Sequence, residues 1–278
     1  MNISIIGLGL IGGSIAKALK KHTNNYITAF DINENVLKKA KSVNLIDDFC
    51  DKTLLSNSDV VYLCVYPKHA IEFVKKNAHF FKPGCIVTDT SGVKSFICEK
   101  LTNIAKNNNF TFIGSHPMAG KEKNGFEASD ENLFKGASYI ITPIDKEFYG
   151  DSINVLENLA LKMGFNKISK TTPQEHDEII SFTSQIPHIL ACSYVLSPQC
   201  PKHTGFSAGS YKDVSRVANI NENLWAELFL ENRESLINEI NILVKNINKF
   251  KNSIEKNDFE ALKHLLRQSR KIKESLGE

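Results

Sequence analysis

Ile3-Ser4-Ile5-Ile6-Gly7-Leu8-Gly9-Leu10-Ile11-Gly12-Gly13-Ser14, running on into Ile15-Ala16-Lys17-Ala18-Leu19, places an apolar strand-like run, a glycine loop and a helical pattern in immediate succession. This is GxGxxG in the strand-to-helix setting that gives the motif physical meaning. Gly7 permits the tight turn, Gly9 lets the backbone approach a pyrophosphate, and Gly12 allows close helix–sheet packing. The helix amino terminus then turns unpaired N–H groups toward the anion, with Leu10 and Ile11 beside it. A second strand-like run, Tyr26-Ile27-Thr28-Ala29-Phe30, ends at Asp31, about the spacing at which a carboxylate accepts ribose hydroxyls. A carboxylate there repels a 2′-phosphate and no arginine follows nearby, which favours NAD over NADP. Asp31 also begins an Asp-Ile-Asn-Glu turn, and the two roles are compatible.

Outward from this unit the pattern repeats. Asp59-Val60-Val61-Tyr62-Leu63-Cys64-Val65 reads as a buried strand, followed by Tyr66-Pro67 and a helix over His69–Lys76. Val65, Tyr66 and Pro67 are expected to border the nucleotide. Gly84-Cys85-Ile86-Val87-Thr88-Asp89 is a further strand leading to Thr90-Ser91-Gly92-Val93-Lys94, whose hydroxyls, Thr90 included, lie at a strand's carboxyl end beside the cofactor crevice. Lys94 by itself reads as an ordinary first-turn helix lysine. Strands alternating with helices imply a doubly wound, parallel α/β sheet of Rossmann type.

From Thr171 the character changes to an almost wholly helical pattern. Thr172-Pro173-Gln174-Glu175-His176-Asp177 has the proline and acids of a helix start, and runs such as Asn221–Lys256 need a partner face for their apolar stripes. Residues 1–171 are therefore expected to form the dinucleotide-binding domain, and residues 172–278 an all-helical substrate and dimerisation domain. The 278 residues carry a net charge of only +3, too little to argue for nucleic acid or an anionic membrane surface. The apolar amino terminus has no basic n-region and is interrupted by glycines, and no other run is long enough to span a membrane. Six cysteines form no CxxC pair, so reduced thiols in a cytoplasmic protein are expected, with no metal site.

Two segments carry candidate chemistry. Gly114-Ser115-His116-Pro117-Met118-Ala119-Gly120 follows the strand-like Phe110-Thr111-Phe112-Ile113, and proline holds the preceding histidine in extended geometry. His116 thus stands at a strand's carboxyl end, where ligands of open α/β sheets bind, with an unperturbed pKa of about 6.5. Taken alone, a loop histidine that caps or packs is the simpler account. Gly205–Arg216 combines flexible backbone with Lys212 and Arg216, and the Arg216 fork suits a carboxylate; an Asp213–Arg216 pair on one helix face is the competing account.

Together these segments resemble the prephenate dehydrogenases of the TyrA family over nearly the whole chain. The resemblance rests on GLGLIGGS at Gly7, DTSGVK at Asp89, HPMAGKEKNG at His116, LF and TP at Leu133 and Thr142, QIPH ending at His188, and YKDVSR with Trp225 beyond it. It implies NAD-dependent oxidative decarboxylation of prephenate to 4-hydroxyphenylpyruvate in tyrosine biosynthesis. His116 matches the base that takes the ring-hydroxyl proton, and Arg216 the arginine on a substrate carboxylate. His188, Lys212 and Gly209 match pocket positions, Glu122 an acid at the entrance, and Trp225 a wall aromatic. Asp213 matches a residue reaching into the neighbouring subunit's site, which implies a homodimer. Two departures stand out: Gly92 occupies the usual serine position, so Ser91 must act on His116 from a shifted place, and Gln185 replaces a histidine. The helices reach Glu278 without room for a further domain, so a monofunctional enzyme is expected. Arogenate is the alternative substrate, and a non-catalytic NAD-binding sensor or scaffold the alternative from another class.

Overall fold

The computed structural model describes residues 1–144 and 150–277. Eight strands form one sheet: β1 (Asn2–Ile6), β2 (Tyr26–Phe30), β3 (Asp48–Phe49), β4 (Val60–Leu63), β5 (Ile86–Asp89), β6 (Thr111–Pro117), β7 (Ser138–Thr142) and β8 (Lys167–Lys170), in the spatial order β3-β2-β1-β4-β5-β6-β7-β8. The order reverses between β1 and β4, which creates the crevice where open α/β sheets take ligands. From β3 to β6 every pairing is parallel. β7 then runs antiparallel to β6, with His116 opposite Ile140, and β8 pairs parallel to β7. The purely parallel expectation fails there for a local reason. Among the described residues no α-helix lies between β6 and β7, and a parallel return needs such a crossover.

Both faces of the sheet are covered, which is why its central strands are apolar without alternation. Ile3, Ile5, Val60 and Tyr62 pack toward the helices Leu10–His22 and Ser152–Lys162. Ile6, Val61, Leu63 and Val87 pack toward Pro67–Asn77 and Ser95–Lys106. Each fully buried side chain of this size contributes about 1.5–3 kcal/mol against the entropy of ordering the chain.

After β8 the chain is helical. The helix Pro173–Ile180 begins where the sequence places it, with Pro173 at its first position and Glu175 in its first turn, and Thr172 and Glu175 add a reciprocal capping box. It widens into a π turn over Ser181–Gln185 before continuing as Ile186–Val195. Pro187, near the start of that continuation, lacks the N–H a regular turn requires. The run Asn221–Lys256 is not one helix: Glu222–Glu231 and Arg233–Glu255 are separated at Asn232. Asn232 leaves helical geometry because its buried amide donates to the Asp177 carbonyl at 2.8 Å and to Gln185 Oε1 at 2.7 Å. Among the described residues no helix is long and apolar enough to cross a membrane.

Candidate active site

The glycine loop has the geometry its sequence implies. Gly7 has φ +95°, and a Cβ there would stand 2.6 Å from the Cys64 carbonyl oxygen. A Cβ on Gly12 would lie 1.9 Å from the Gly7 carbonyl oxygen, so helix and loop touch through this glycine. At Gly9 a Cβ would meet nothing within 4 Å. Gly9 caps the following helix without any side-chain bond, leaving its first N–H groups open. This is a cradle shaped for an anionic group, and a pyrophosphate fits it. Asp31 Oδ2 accepts from Leu8 N at 2.7 Å and Oδ1 from Asn33 N at 2.8 Å. The carboxylate therefore braces the loop and opens its own turn, and still has lone pairs for a ribose hydroxyl.

A cleft of about 710 Å³ runs from this loop, past the ends of β4 and β5, to the helical half. Gly9, Leu10, Ile11, Val65, Tyr66, Pro67, Thr90 and Ser91 line one end, and Glu122, His188, Arg216 and Trp225 the other, with His116 between them. His116 is half-buried near the carboxyl end of β6. Its Nδ1 lies 3.0 Å from His176 Nε2, and His176 Nδ1 lies 2.7 Å from Asp177 Oδ1. Asp177 also accepts from the backbone N–H groups of Lys94 and Ser95, each at 2.7 Å. Burial, then the neighbouring His176 and Lys94, hold His116 well below the ordinary histidine value.

Beneath the imidazoles lies a buried polar layer. Lys94 pairs with Asp89, both wholly excluded from solvent, and its ammonium donates to the Ser115 carbonyl at 2.7 Å. Asp89 accepts further from Ser115 N at 3.1 Å and Ser91 N at 2.9 Å. Lys94 does stand at a helix start, capping Ser95–Lys106, but it is not an ordinary lysine of a first turn, because its side chain is wholly buried. Its stem passes beside Gly114 of β6 into the interior and its charge is matched there, as a buried charge must be.

On the substrate side, His188 stacks on Trp225 with centroids 3.7 Å apart, and its Nδ1 donates to the Ser184 carbonyl at 2.8 Å. Burial lowers the His188 pKa, and with Nδ1 committed its Nε2 is the nitrogen left free. Arg216 pairs with Glu122 at the mouth, and four of its five N–H donors remain for another carboxylate. Gly209, Lys212 and Asp213, on the short helix Gly209–Ser215, are exposed and do not line the cleft of this chain. Ser91 lines the cleft, but its buried hydroxyl has no hydrogen-bond partner among the described residues. The expected contact from Ser91 to His116 is not made, and the hydrogen bond recorded for His116 Nδ1 runs to His176 instead. Gln185 is a structural link, donating to the Leu228 carbonyl at 3.2 Å and accepting from Asn232.

The residues that sequence reasoning passed over are His176 and Asp177. Both fell inside a segment read only as a helix start. The available signal was a histidine–aspartate pair in the first turns of a helix opening at the junction of the two sequence patterns.

A dehydrogenase using a pyridine nucleotide needs a hydride acceptor held near a base, and a cleft joining a nucleotide cradle to an imidazole belongs to that class. Comparison narrows the class: the chain belongs to the prephenate dehydrogenase family. The family's nucleotide-binding domain matches residues 15–167 and its dimerization domain residues 172–268. The prephenate dehydrogenase of Bacillus subtilis is 30% identical over 272 residues, covering 94% of this chain and 72% of that protein. The cyclohexadienyl dehydrogenase of Zymomonas mobilis is 30% identical over 286 residues, covering 99% and 96%. The crystal structure of prephenate dehydrogenase from A. aeolicus in complex with hydroxyphenyl propionate and NAD+ superposes with a TM-score of 0.88 at 28% identity, covering 99% of this chain and 98% of that one.

Proposed function

We propose that the protein is an NAD-dependent prephenate dehydrogenase that converts prephenate to 4-hydroxyphenylpyruvate and CO₂ for tyrosine biosynthesis. His116 carries this reading: it is the imidazole in the middle of the cleft, between the open Gly9 cradle and the wall of His188, Trp225 and Arg216. Bound NAD supplies the hydride acceptor; Asp31 is placed for its ribose and the Leu10–Ile11 helix start for its pyrophosphate. His116 takes the proton of the ring hydroxyl, which pushes electrons toward the ring C–H bond. Loss of the ring carboxylate as CO₂ then restores aromaticity, and the imidazolium returns its proton to the phenolate oxygen, so no net proton is released. The lowered pKa keeps His116 neutral at pH 7, the form a general base requires. Arg216 offers its fork to a substrate carboxylate, with Glu122 at the entrance and Trp225 and His188 as the wall for the ring.

The division into residues 1–171 and 172–278 is supported by the end of β8 at Lys170 and the capping box at Thr172. A homodimer is supported by exposed apolar side chains on the helical half, among them Ile237, Ile242 and Ile247. In such a dimer Gly209, Lys212 and Asp213 would serve an assembled site, Asp213 reaching the partner's cleft. Unpaired cysteines support a cytoplasmic setting. The Zymomonas relative, matched along nearly all of both chains, favours arogenate as a second substrate reading.

Steady-state kinetics with prephenate and arogenate, each with NAD and NADP, tests reaction class and both specificities. Prephenate with NAD is expected to give the highest kcat/KM; faster use of arogenate moves the substrate assignment. His116→Asn is expected to lower kcat by at least ~100-fold while leaving NAD affinity nearly unchanged. A near-normal kcat in that variant refutes the base assignment.

A further inference from the structure

The base is held by groups from the other half of the chain. His116 comes from β6, whereas His176 and Asp177 come from the helix Pro173–Ile180. Three donors converge on the Asp177 carboxylate: the N–H groups of Lys94 and Ser95, which open the helix Ser95–Lys106, and His176 Nδ1. An ionised carboxylate only accepts, so the proton of His176 must sit on Nδ1. The His176 side chain is wholly buried, and burial opposes a second proton on it, as does Lys94 nearby. Its Nε2 is therefore a lone pair, and the group it meets is His116 Nδ1 at 3.0 Å. That contact is a hydrogen bond only if His116 carries its proton on Nδ1.

We infer that His176 and Asp177 are positioning residues that lock His116 in the Nδ1–H tautomer, leaving Nε2 as the free lone pair for the substrate hydroxyl. The inference rests on His116 being the base. Once His116 has taken the proton, its Nδ1–H bond to His176 strengthens, and the Asp177 carboxylate two bonds further on offsets the new charge. Fixing a catalytic histidine through a buried acid follows the logic of hydrolase triads, with a second imidazole interposed. Docking the Asp177 carboxylate on the N-terminus of Ser95–Lys106 is also what joins the helical half to the sheet at this point, so assembly of the two halves sets the base.

The test is the tautomer itself, read by ¹⁵N NMR of the full-length protein labelled at histidine, with the His116 signals identified by their loss in His116→Asn. Wild-type protein is expected to show a protonated Nδ1 and an unprotonated Nε2 at residue 116. In Asp177→Asn the charge that holds the proton on His176 Nδ1 is lost, and because Lys94 N and Ser95 N bond different oxygens the amide NH₂ must face one of them. The hold on the His116 tautomer is released, the Nε2–H form gains population and kcat falls at least ~30-fold. His176→Leu removes the acceptor, with the same direction of change, while His176→Gln restores one and recovers much of the lost kcat. KM for NAD should stay within about 3-fold throughout. An Nε2–H tautomer in the wild-type protein overturns the inference, as does His176→Leu with kcat within about 3-fold of wild type. Should the wild-type protein turn over neither prephenate nor arogenate, the proposed function fails while the tautomer measurement still decides this inference.

Discussion

Replacing Gly9 and Gly12 separately by alanine should split one motif into two measurable roles. A methyl on Gly12 would lie 1.9 Å from the Gly7 carbonyl oxygen and 3.0 Å from Cys64 Cβ. An ordinary carbon–oxygen contact needs about 3.3 Å, so the overlap exceeds ~1 Å and falls on backbone that cannot swing aside. Overpacking of this kind costs about 1–3 kcal/mol, and a backbone clash belongs at the upper end. For a chain of this size ~3 kcal/mol lowers the midpoint of thermal unfolding by roughly 6–12 °C. At Gly9 nothing lies within 4 Å of the added methyl and the backbone has φ −74°, so alanine fits without strain. Stability should change by no more than about 0.5 kcal/mol. The methyl nevertheless occupies the space through which a pyrophosphate approaches the loop, so the Kd for NAD should rise at least ~10-fold, about 1.4 kcal/mol. Scanning calorimetry of the protein without nucleotide and titration calorimetry with NAD read the two effects independently. Gly9→Ala unfolding as early as Gly12→Ala, or binding NAD as tightly as wild type, would refute the division of roles.

Lys94→Met should cost about 3–5 kcal/mol in denaturant unfolding, because it strands the fully buried Asp89 carboxylate, and adding Asp89→Asn should recover a substantial part. An additive double variant would show that the pair is not coupled. The same Lys94 variant removes a positive charge that holds the His116 pKa down, so the acid limb of the kcat/KM profile should move to higher pH; an unmoved limb counts against that role. Glu231 has both carboxyl oxygens buried without a partner among the described residues, and burial, then Glu227, push its pKa from the ordinary 4.5 up to about 8. A group raised on folding contributes stability below its unfolded value that is lost as pH climbs through the folded one. Glu231→Gln should therefore match wild type near pH 4.5 and exceed it above pH 8. The gain should be about 1 kcal/mol after allowing for partial exposure. A gain that shrinks with rising pH would refute the assignment.

What was legible in the sequence depended on residue type at a fixed spacing. Gly7, Gly9 and Gly12 could be assigned three different roles because each role is a backbone requirement that only glycine meets, and the spaces around them differ accordingly. The helix start at Pro173 was legible for the same reason, since a first-turn proline and acids answer a local requirement, and the structure adds the capping box of Thr172 and Glu175. The reversal at β7 was not, because strand direction there follows from a missing crossover helix over some twenty residues. Nor was the break at Asn232, whose amide is drawn out of the helical run by Asp177 and Gln185, partners 55 and 47 residues away.

The candidate site divides along the same line. His116 and Arg216 stand out as types, an imidazole at a strand end and a planar fork on a polar helix, and a motif can record a type. Lys94, His176 and Asp177 matter through relations between residues. Lys94 is an ordinary helix-start lysine until Asp89 is placed beside it in the interior, and the sequence distance of five residues says nothing about shared burial. His176 lies 60 residues from His116, and Asp177 is 83 residues from the Lys94 N–H it accepts. Each would be unremarkable with its partner removed. The partners also limit what substitution can change alone: Asp177 cannot lose its charge without unsettling both the helix start at Ser95 and the proton on His176. The placing of Ser91 where it makes no bond to His116 is compatible with this site, because the imidazole meets His176 through Nδ1 and does not need the buried Ser91 hydroxyl to orient it.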